Sequence, residues 1–373
     1  MDSERKLHIV SFDNPWPPDY GGAIDVFYRI RQLYLEGISI TLHAFEYGRK
    51  DTGETEKYCS RIFFYKRNRM VNPFSPKPYI VASRISGELT ANLLKDNAPI
   101  LFEGLHTCGI LAHPAFTQRK KLVRMHNVEH EYYRSLALSE RNLFRKAWFH
   151  AESFKLKGFN NILKHADTVI AISSSDYAKL SAVNPDTCVA GPFHSSSEPA
   201  DRKGCGEFAL YHGKLSVPEN DRAARFIVSE VAPLTGFPIV IAGSSPGARL
   251  RHAIKVCQGV SLVENPGIAE LDELISLAHI NLLPAFQETG VKLKLINSLF
   301  RGRHVIANRM MINGTGCEVL CHIAGTASEF ARNIDRLARI EFTDIDIQQR
   351  KPLIQGLFDN KTNAAAIIEK AGI

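Results

Sequence analysis

The sequence predicts an α/β protein made of two doubly wound parallel-sheet domains. Three observations carry this. Short apolar runs of strand length alternate with stretches whose apolar residues recur at helical spacing, the signature of repeated βαβ units. The alternation runs twice, with one polar interruption between the two passes. At 373 residues the chain is long for one domain and comfortable for two.

The first strand is expected at 7–12, followed by a loop rich in proline and glycine (Pro15, Pro17, Pro18, Gly21, Gly22). Ile24, Phe27, Ile30, Arg31 and Tyr34 then sit at helical spacing, and Gly37 ends the helix. Ile38, Ile40, Leu42 and Ala44 alternate as a second strand. Further strands are expected at 61–65, 99–102, 121–125 and 168–172, which together make an N-terminal domain of residues 1–192. Residues 193–206 are polar with turn chemistry and read as a linker. The second domain, 207–345, repeats the pattern with strands at 208–212, 238–242, 260–263, 280–283 and 304–307. Its helices are expected at 221–231, 246–255, 268–278 and 290–300. Pro246 behind Ser245 looks like a first-turn proline after a capping serine. Late helices fall at 326–338, 346–358 and 364–370, and residues 346–373 are candidates for a return to the first domain.

Apolar residues make up 45% and charged residues 23%, which excludes wholesale disorder. There is no export signal and no apolar run near the roughly 18 residues of a membrane span, so a cytoplasmic protein is expected. The seven cysteines are odd in number and scattered, which fits reduced thiols. Cys317 and Cys321 beside His322 lack a fourth ligand for zinc. The net charge of +7 favours anionic partners such as nucleotide phosphates, acidic lipid or nucleic acid. Nucleic acid is not expected, because the cations are not grouped into a reading helix. A dehydrogenase is excluded by the missing glycine fingerprint.

Candidate chemistry gathers where strands end, because sheets of this kind bind ligands outside the carboxyl ends of their strands. Asp19-Tyr20-Gly21-Gly22 follows the first strand and opens a helix, so backbone N–H groups can approach an anion. His126-Asn127-Val128-Glu129 follows another strand, either as a functional cluster or as a solvated loop into a helix capped by Asn127. Tyr211-His212-Gly213-Lys214 ends the first strand of the second half and suits a diphosphate. Thr289-Gly290 opens a helix with Lys292 in its first turn. A cation is disfavoured there by the helix dipole, unless an anion shares the helix end. Val291, Leu295 and Leu299 form that helix's apolar stripe, and Asn297 lies on another face. Residues 141–164 carry six cations, one acid and several aromatics. They read either as a packed helix with a solvated basic face or as a peripheral contact with an anionic membrane. Asp344-Ile345-Asp346 reads as an acidic helix start.

Taken together, several strings resemble glycosyltransferase family four, the large retaining GT-B family. They are Pro18-Asp19-Tyr20-Gly21-Gly22, Glu103-Gly104-Leu105-His106, His126-Asn127-Val128-Glu129-His130, Ala171-Ile172-Ser173, Gly213-Lys214, and Thr289 to Lys292 running on to Ile306. The resemblance covers residues 7–358 and is to a mannosyltransferase-like bacterial member. It implies two facing Rossmann-like domains with a cleft between them. It also implies transfer of a hexose, with retention, from a GDP- or UDP-linked sugar to a glycan or lipid-linked acceptor in cell-surface polysaccharide or glycolipid assembly. Gly21 and Gly22 would lie by the donor phosphate, and catalytic His126 over the donor sugar. Lys214 replaces the usual phosphate-binding arginine, and Lys292 with Thr289 and Gly290 would touch the diphosphate. Glu103, His106, Asn127, Glu129, Gly243 and Ser244 are further candidate donor or acceptor contacts. No metal is expected, because lysines and helix N-termini would neutralise the phosphates. The chain departs from the family at its paired glutamates. Thr289 stands for the first and Asn297, at the ribose, for the second, while Glu219 and Asn220 occupy the place of a second basic residue. A GT-B-like binding or scaffold protein that has lost the acidic pair is therefore the alternative reading.

Overall fold

The structure is a computed structural model that describes every residue except 1–4, 47, 50, 73, 74, 141, 197 and 287–291, and the side chain of 139. The predicted elements at 287–291, and with them Thr289 and Gly290, lie outside the described residues. The chain divides into two compact units. Unit one runs to Ser195 and takes up Asn360–Ile373, and unit two holds the described residues from Ser196 to Asp359.

Unit one contains β1 (Lys6–Ser11), β2 (Ser39–Glu46), β3 (Arg61–Lys66), β4 (Ile100–Glu103), β5 (Lys121–Met125), β6 (Thr168–Ala171) and β7 (Thr187–Val189). They form one sheet in the order β3-β2-β1-β4-β5-β6-β7, with every pairing parallel. Parallel strands are covered on both faces, which is why these segments read as nearly continuous apolar runs. Along β1, Val10 joins one core while Leu7 and Ile9 join the core on the opposite face. The helix Gly21–Leu35 follows β1 and buries Val26, Phe27, Ile30 and Leu33. Past its end Gly37 sits at φ +81°, the left-handed position glycine fills without strain.

Unit two contains β8 (Ala209–His212), β9 (Ile239–Gly243), β10 (Val260–Glu264), β11 (Ile280–Leu283), β12 (His304–Ala307) and β13 (His322–Ile323). Their order is β10-β9-β8-β11-β12-β13, again parallel throughout. Both sheets reverse their winding once, between β1 and β4 and between β8 and β11. Such switch points are where doubly wound sheets hold ligands.

Several local expectations are corrected. Strands β7 and β13, of three and two residues, are too short to show a period and were not expected. The helix expected at 221–231 is Pro218–Phe226, with proline in its first turn, and runs on as a π turn over Ile227–Val231. Ser245 does not cap a helix. It lies at φ +53° with its N–H held by Asn265 Oδ1 at 2.9 Å, and the helix starts at Ala248 behind Gly247. Asn127 caps nothing either, because Val128 is the N-cap of the helix Glu129–Ser139. Lys292 is not in a first turn. Its φ of −90° and ψ of 44° place it at the N-cap of the helix Leu293–Arg301. Residues past Ser195 that read as linker belong to unit two, where Ala200 N–H donates to the Phe300 carbonyl at 2.7 Å and Gly204 pairs with Phe342.

Asp344 and Asp346 do start a helix, Asp344–Phe358, behind a capping box formed by Thr343 and Asp346. This helix stays in unit two, tied by Arg350 to the carbonyls of Leu299 at 3.3 Å and Gly302 at 2.7 Å. The helix Asn360–Ala371 belongs to unit one. All seven cysteines are free, and burial pushes the Cys317 and Cys321 thiols up to about 12. Among the described residues no helix is long and apolar enough to cross a membrane.

Candidate active site

In unit one the polar residues cluster at the switch point. Asp25, on the helix after β1, is fully buried and holds two buried arginines. Arg124 of β5 grips it twice, at 3.0 and 3.2 Å, and Arg29 donates to it at 2.8 Å. Burial pushes the Asp25 carboxyl up, but Arg124, Arg29 and His126 outweigh burial and hold it well below the usual carboxylate range. Arg29 also donates to Glu103, the last residue of β4, and Glu103 accepts from His126 Nε2 at 2.8 Å. Two carboxylates and two guanidinium groups thus set the position of His126 at the end of β5.

Four buried polar atoms here have no hydrogen-bond partner: His126 Nδ1, which faces Asp25 Oδ2 at 3.6 Å, and His106 Nδ1, Asn127 Oδ1 and Glu129 Oε1. They are neighbours. His106 Nδ1 is 3.9 Å from Glu129 Oε1, and Phe12 packs against both histidines with ring centroids 5.2 and 5.3 Å away. Gly104, at φ +62°, leaves room for both, since a Cβ there would come 3.0 Å from His106 Nδ1. Buried polar groups in native proteins are nearly always satisfied, so the orphans past the ends of β4 and β5 mark a place for water or ligand hydroxyls. Burial raises the Glu129 carboxyl to about 7 against the opposing pull of Asn127 and Arg84. Burial, with Arg84 and His126 adding to it, keeps His106 well below its ordinary range and hence neutral.

The loop before the first helix is fixed from its sides. Tyr20 donates to Asp13 at 3.0 Å, and Arg49 pairs with Asp19 while stacking on the Tyr20 ring at 4.8 Å. Gly22 lets Phe12 pack close, because a Cβ there would come 2.9 Å from Phe12 Cζ and push the ring aside. Tyr20 is the N-cap and offers no side-chain cap, so Gly21 and Gly22 bring uncapped N–H groups to the helix end.

Asp25, Glu103 and His126 could place one ligand atom each within 4.8 Å of one another, a spacing open to a metal ion. Their bonding argues against one. Both carboxylates are already neutralised by Arg29 and Arg124, and a dication would sit against two buried guanidinium groups.

In unit two the focus lies at the end of β8. Lys294, two residues into the helix Leu293–Arg301, is half-buried with its ammonium enclosed. It donates to Tyr211 Oη at 3.1 Å and to Asn220 Oδ1, and lies over the Tyr211 ring at 4.8 Å. Burial lowers it from 10.5 to about 7, with Lys292 lowering it further and Glu219 pulling the other way. Gly213 gives it room, because a Cβ there would lie 2.6 Å from its Nζ. His212 Nε2, Glu219 Oε1 and Asn297 Oδ1 are buried without partners in the same unit. Burial, with Lys294 beside it, takes His212 down to about 3.

Of the predicted residues, His126, Glu103, His106, Asn127 and Glu129 come together in unit one, where Gly21 and Gly22 open the helix after β1. Gly213 and Lys214 border the unit-two focus, where the Lys214 carbonyl accepts from Asn220 at 2.9 Å. Gly243 and Ser244 have backbone roles. A Cβ on Gly243 would come 1.8 Å from the Gly213 carbonyl oxygen, and the Ser244 carbonyl accepts from Leu215 N–H at 2.9 Å. Sequence reading missed Lys294, as well as Asp25, Arg29 and Arg124. Asp25 and Arg29 stand four apart on a helix that starts at a strand end, a spacing that puts them on one face and was the available signal.

No family model matches the chain. An uncharacterized 44.6 kDa protein in the cps region of Klebsiella pneumoniae is 25% identical over 335 residues, covering 83% of this chain and 84% of its own. Among solved structures, sucrose-phosphate synthase from Thermosynechococcus elongatus matches with a TM-score of 0.69 at 17% identity, over 98% of each chain. TarM matches at 0.68 and 10% identity over 100% of this chain and 99% of its own. Anabaena HepE, in complex with UDP and glucose, matches at 0.64 and 11% identity over 99% of each. At such identities the likeness is one of fold. The chain has the two Rossmann-like domains of the GT-B glycosyltransferases.

Proposed function

We propose that the chain is a glycosyltransferase that moves a hexose from a nucleotide-diphosphate sugar to a glycan or lipid-linked acceptor. The observation that carries this reading is the group of orphaned buried polar atoms past β4 and β5 in unit one, with the enclosed Lys294 beside Tyr211 of β8 in unit two, on a fold shared with enzymes of that class. Retention at the anomeric carbon, a GDP- or UDP-linked donor and a place in cell-surface polysaccharide assembly are part of the proposal. HepE's complex with UDP and glucose supports the donor class, and the relative in a cps region is in line with the pathway.

The unit-two cations do the electrostatic work. Lys294, helped by Lys214, Lys292 and the N-terminus of the helix Leu293–Arg301, stabilises the charge that gathers on the departing diphosphate. Asn297 offers its free Oδ1 to a ribose hydroxyl. In unit one, Glu103 at Nε2 and Asp25 at Nδ1 hold His126 between two carboxylates, while His106, Asn127 and Glu129 offer unpartnered polar atoms to sugar hydroxyls. Glu129, raised to about 7, can hold or release a proton near neutral pH. No metal is called for, since lysines supply the charge a dication would.

The test is thermal unfolding with UDP, GDP and their hexose derivatives, with and without EDTA, followed by a search for turnover. A ligand bound only by the folded state raises its stability. Stabilisation by one nucleotide that survives EDTA, with released nucleotide on adding sugar acceptors, is the expected result. Stabilisation without turnover supports the binding-protein alternative, and no stabilisation at all overturns the nucleotide site.

A further inference from the structure

The helix Leu143–Phe159 carries apolar residues on two sides. Its inner side buries Leu156 and Glu152 and packs Phe149 and Phe159 against the core of unit one. Glu152 ties that side to the unit by accepting from Tyr79 N–H at 2.6 Å, and Lys155 of its own helix pairs with it at 3.0 Å. The side facing out is apolar. Leu143 is 78% exposed, Phe144 88% and Phe154 81%, and Ala147 and Ala151 between them are exposed as well. At 100° per residue these five positions fall within one arc that contains no charge. Lys146, His150 and Lys157 line one flank of the arc, and Leu138, 68% exposed, lies on the preceding helix.

The surroundings are basic. The helix has four lysines and arginines (Arg145, Lys146, Lys155, Lys157), and its one acid, Glu152, is buried. Trp148 packs against Tyr79 with ring centroids 6.3 Å apart, and Arg67 lies 5.9 Å over the same Tyr79 ring. Arg67 in turn lines a depression with Arg49, Lys66, Arg69, Gly48 and Glu46, next to the fully exposed Met70.

We infer that the outward face of the helix Leu143–Phe159 docks on an anionic lipid bilayer, with its apolar arc in the interface and its flanking cations, together with those of 66–69, on the headgroups. Exposed apolar patches of this kind mark interaction surfaces rather than ordinary solvent contact. A flat aromatic and aliphatic face flanked by cations is the arrangement of an interfacial helix. The charge also selects the occupant. A second copy of the chain would set like cations against one another, whereas an acidic leaflet attracts them.

Vesicle binding tests this without any sugar donor, so its outcome is independent of transfer. The full chain is pelleted with phosphatidylcholine vesicles that contain or lack phosphatidylglycerol, and its oligomeric state is measured in parallel. Binding is expected only to the anionic vesicles. Phe144→Ser combined with Phe154→Ser should lower the partition coefficient at least about tenfold. Lys146→Glu and Lys157→Glu should each lower it about fivefold or more. All of these variants alter exposed or half-exposed positions and should keep the parent melting temperature. Equal binding to neutral vesicles overturns the inference. So does unchanged binding of the serine variant, or a dimer that this variant dissolves while no vesicle is bound.

Discussion

A lysine enclosed beside Tyr211, Asn220 and Glu219 is costly to keep charged, and that cost shapes how Lys294 would serve an anion. Lowered to about 7, it is protonated below that pH and largely neutral above it. A bound diphosphate favours the cation, so affinity for UDP or GDP should fall as pH rises through and beyond 7, by up to about tenfold per unit. The other groups around it are silent in this range or oppose the trend. Tyr211 is pushed far up by burial and His212 down to about 3, so neither changes charge in this range. The nucleotide's terminal phosphate, with its second pKa at about 6, acts in the opposite sense and is finished above about pH 7.5. Titration calorimetry above that point should show the fall in the parent, none in Lys294→Met, and tight, pH-independent binding in Lys294→Arg. A flat profile in the parent removes Lys294 from the site. Glu129 gives a second pH signature. Its folded pKa is raised to about 7 from 4.5, so between those values the folded state holds a proton the unfolded chain has lost, and stability falls as pH rises. Glu129→Gln should stabilise the protein by up to about 3 kcal/mol at about pH 8 and much less at about pH 5. Equal gains at both would mean the carboxyl is not held protonated. His126→Ala, by contrast, should reduce turnover roughly 100-fold or more while nucleotide affinity in unit two hardly moves.

At the scale of elements, each focus is as good as the strand ends beneath it. Gly243 closes β9 against the turn after β8, and a methyl group there would meet a backbone oxygen, which cannot rotate away. Gly243→Ala should therefore cost about 2 kcal/mol or more and weaken nucleotide stabilisation, since the displaced turn carries Gly213, the neighbour of Lys294. A full nucleotide shift in this variant would separate the turn from the site. The same elements show what the sequence could convey. Strands buried on both faces wrote themselves as apolar runs, so β1, β5, β11 and β12 were readable to within a residue or so. Strand-end position likewise pointed to His126. Spacing could not say that Lys294 turns inward while Lys292 sits at a helix cap, because two lysines two residues apart look alike until the first turn is placed. Nor could periodicity settle which side of 143–159 meets the core. Apolar residues lie on two sides of it: Phe149, Leu156 and Phe159 meet the core beside the buried Glu152, while Leu143, Phe144 and Phe154 face out.

At the scale of the whole molecule, sequence order and unit membership part company at Asp359. The helix Asp344–Phe358 stays in unit two, and the next residues rejoin unit one. There Ala364, Ile367 and Ala371 complete the core that holds Leu7, Ile9 and Ile30. Asn363 Oδ1 accepts the Gly191 N–H at 2.8 Å, and Asn360 accepts from His194 N–H at 3.2 Å. Both contacts brace the segment that supplies Ala190 and Gly191 carbonyls to Arg124 and the Phe193 N–H to Asp25. A helix that lies far from His126 in sequence thus steadies the network that positions it. Ile367→Ala should cost about 2–5 kcal/mol by opening a cavity. Asn363→Ala should cost about 1–3 kcal/mol by stranding a buried N–H. The loss belongs to unit one. Calorimetry should show a lowered transition that nucleotide does not rescue, while the nucleotide-stabilised transition stays in place. If instead the nucleotide-responsive transition falls in these variants and the other is unmoved, the last helix serves unit two, and its packing on the β1 side of unit one is not what keeps the Asp25 network in order.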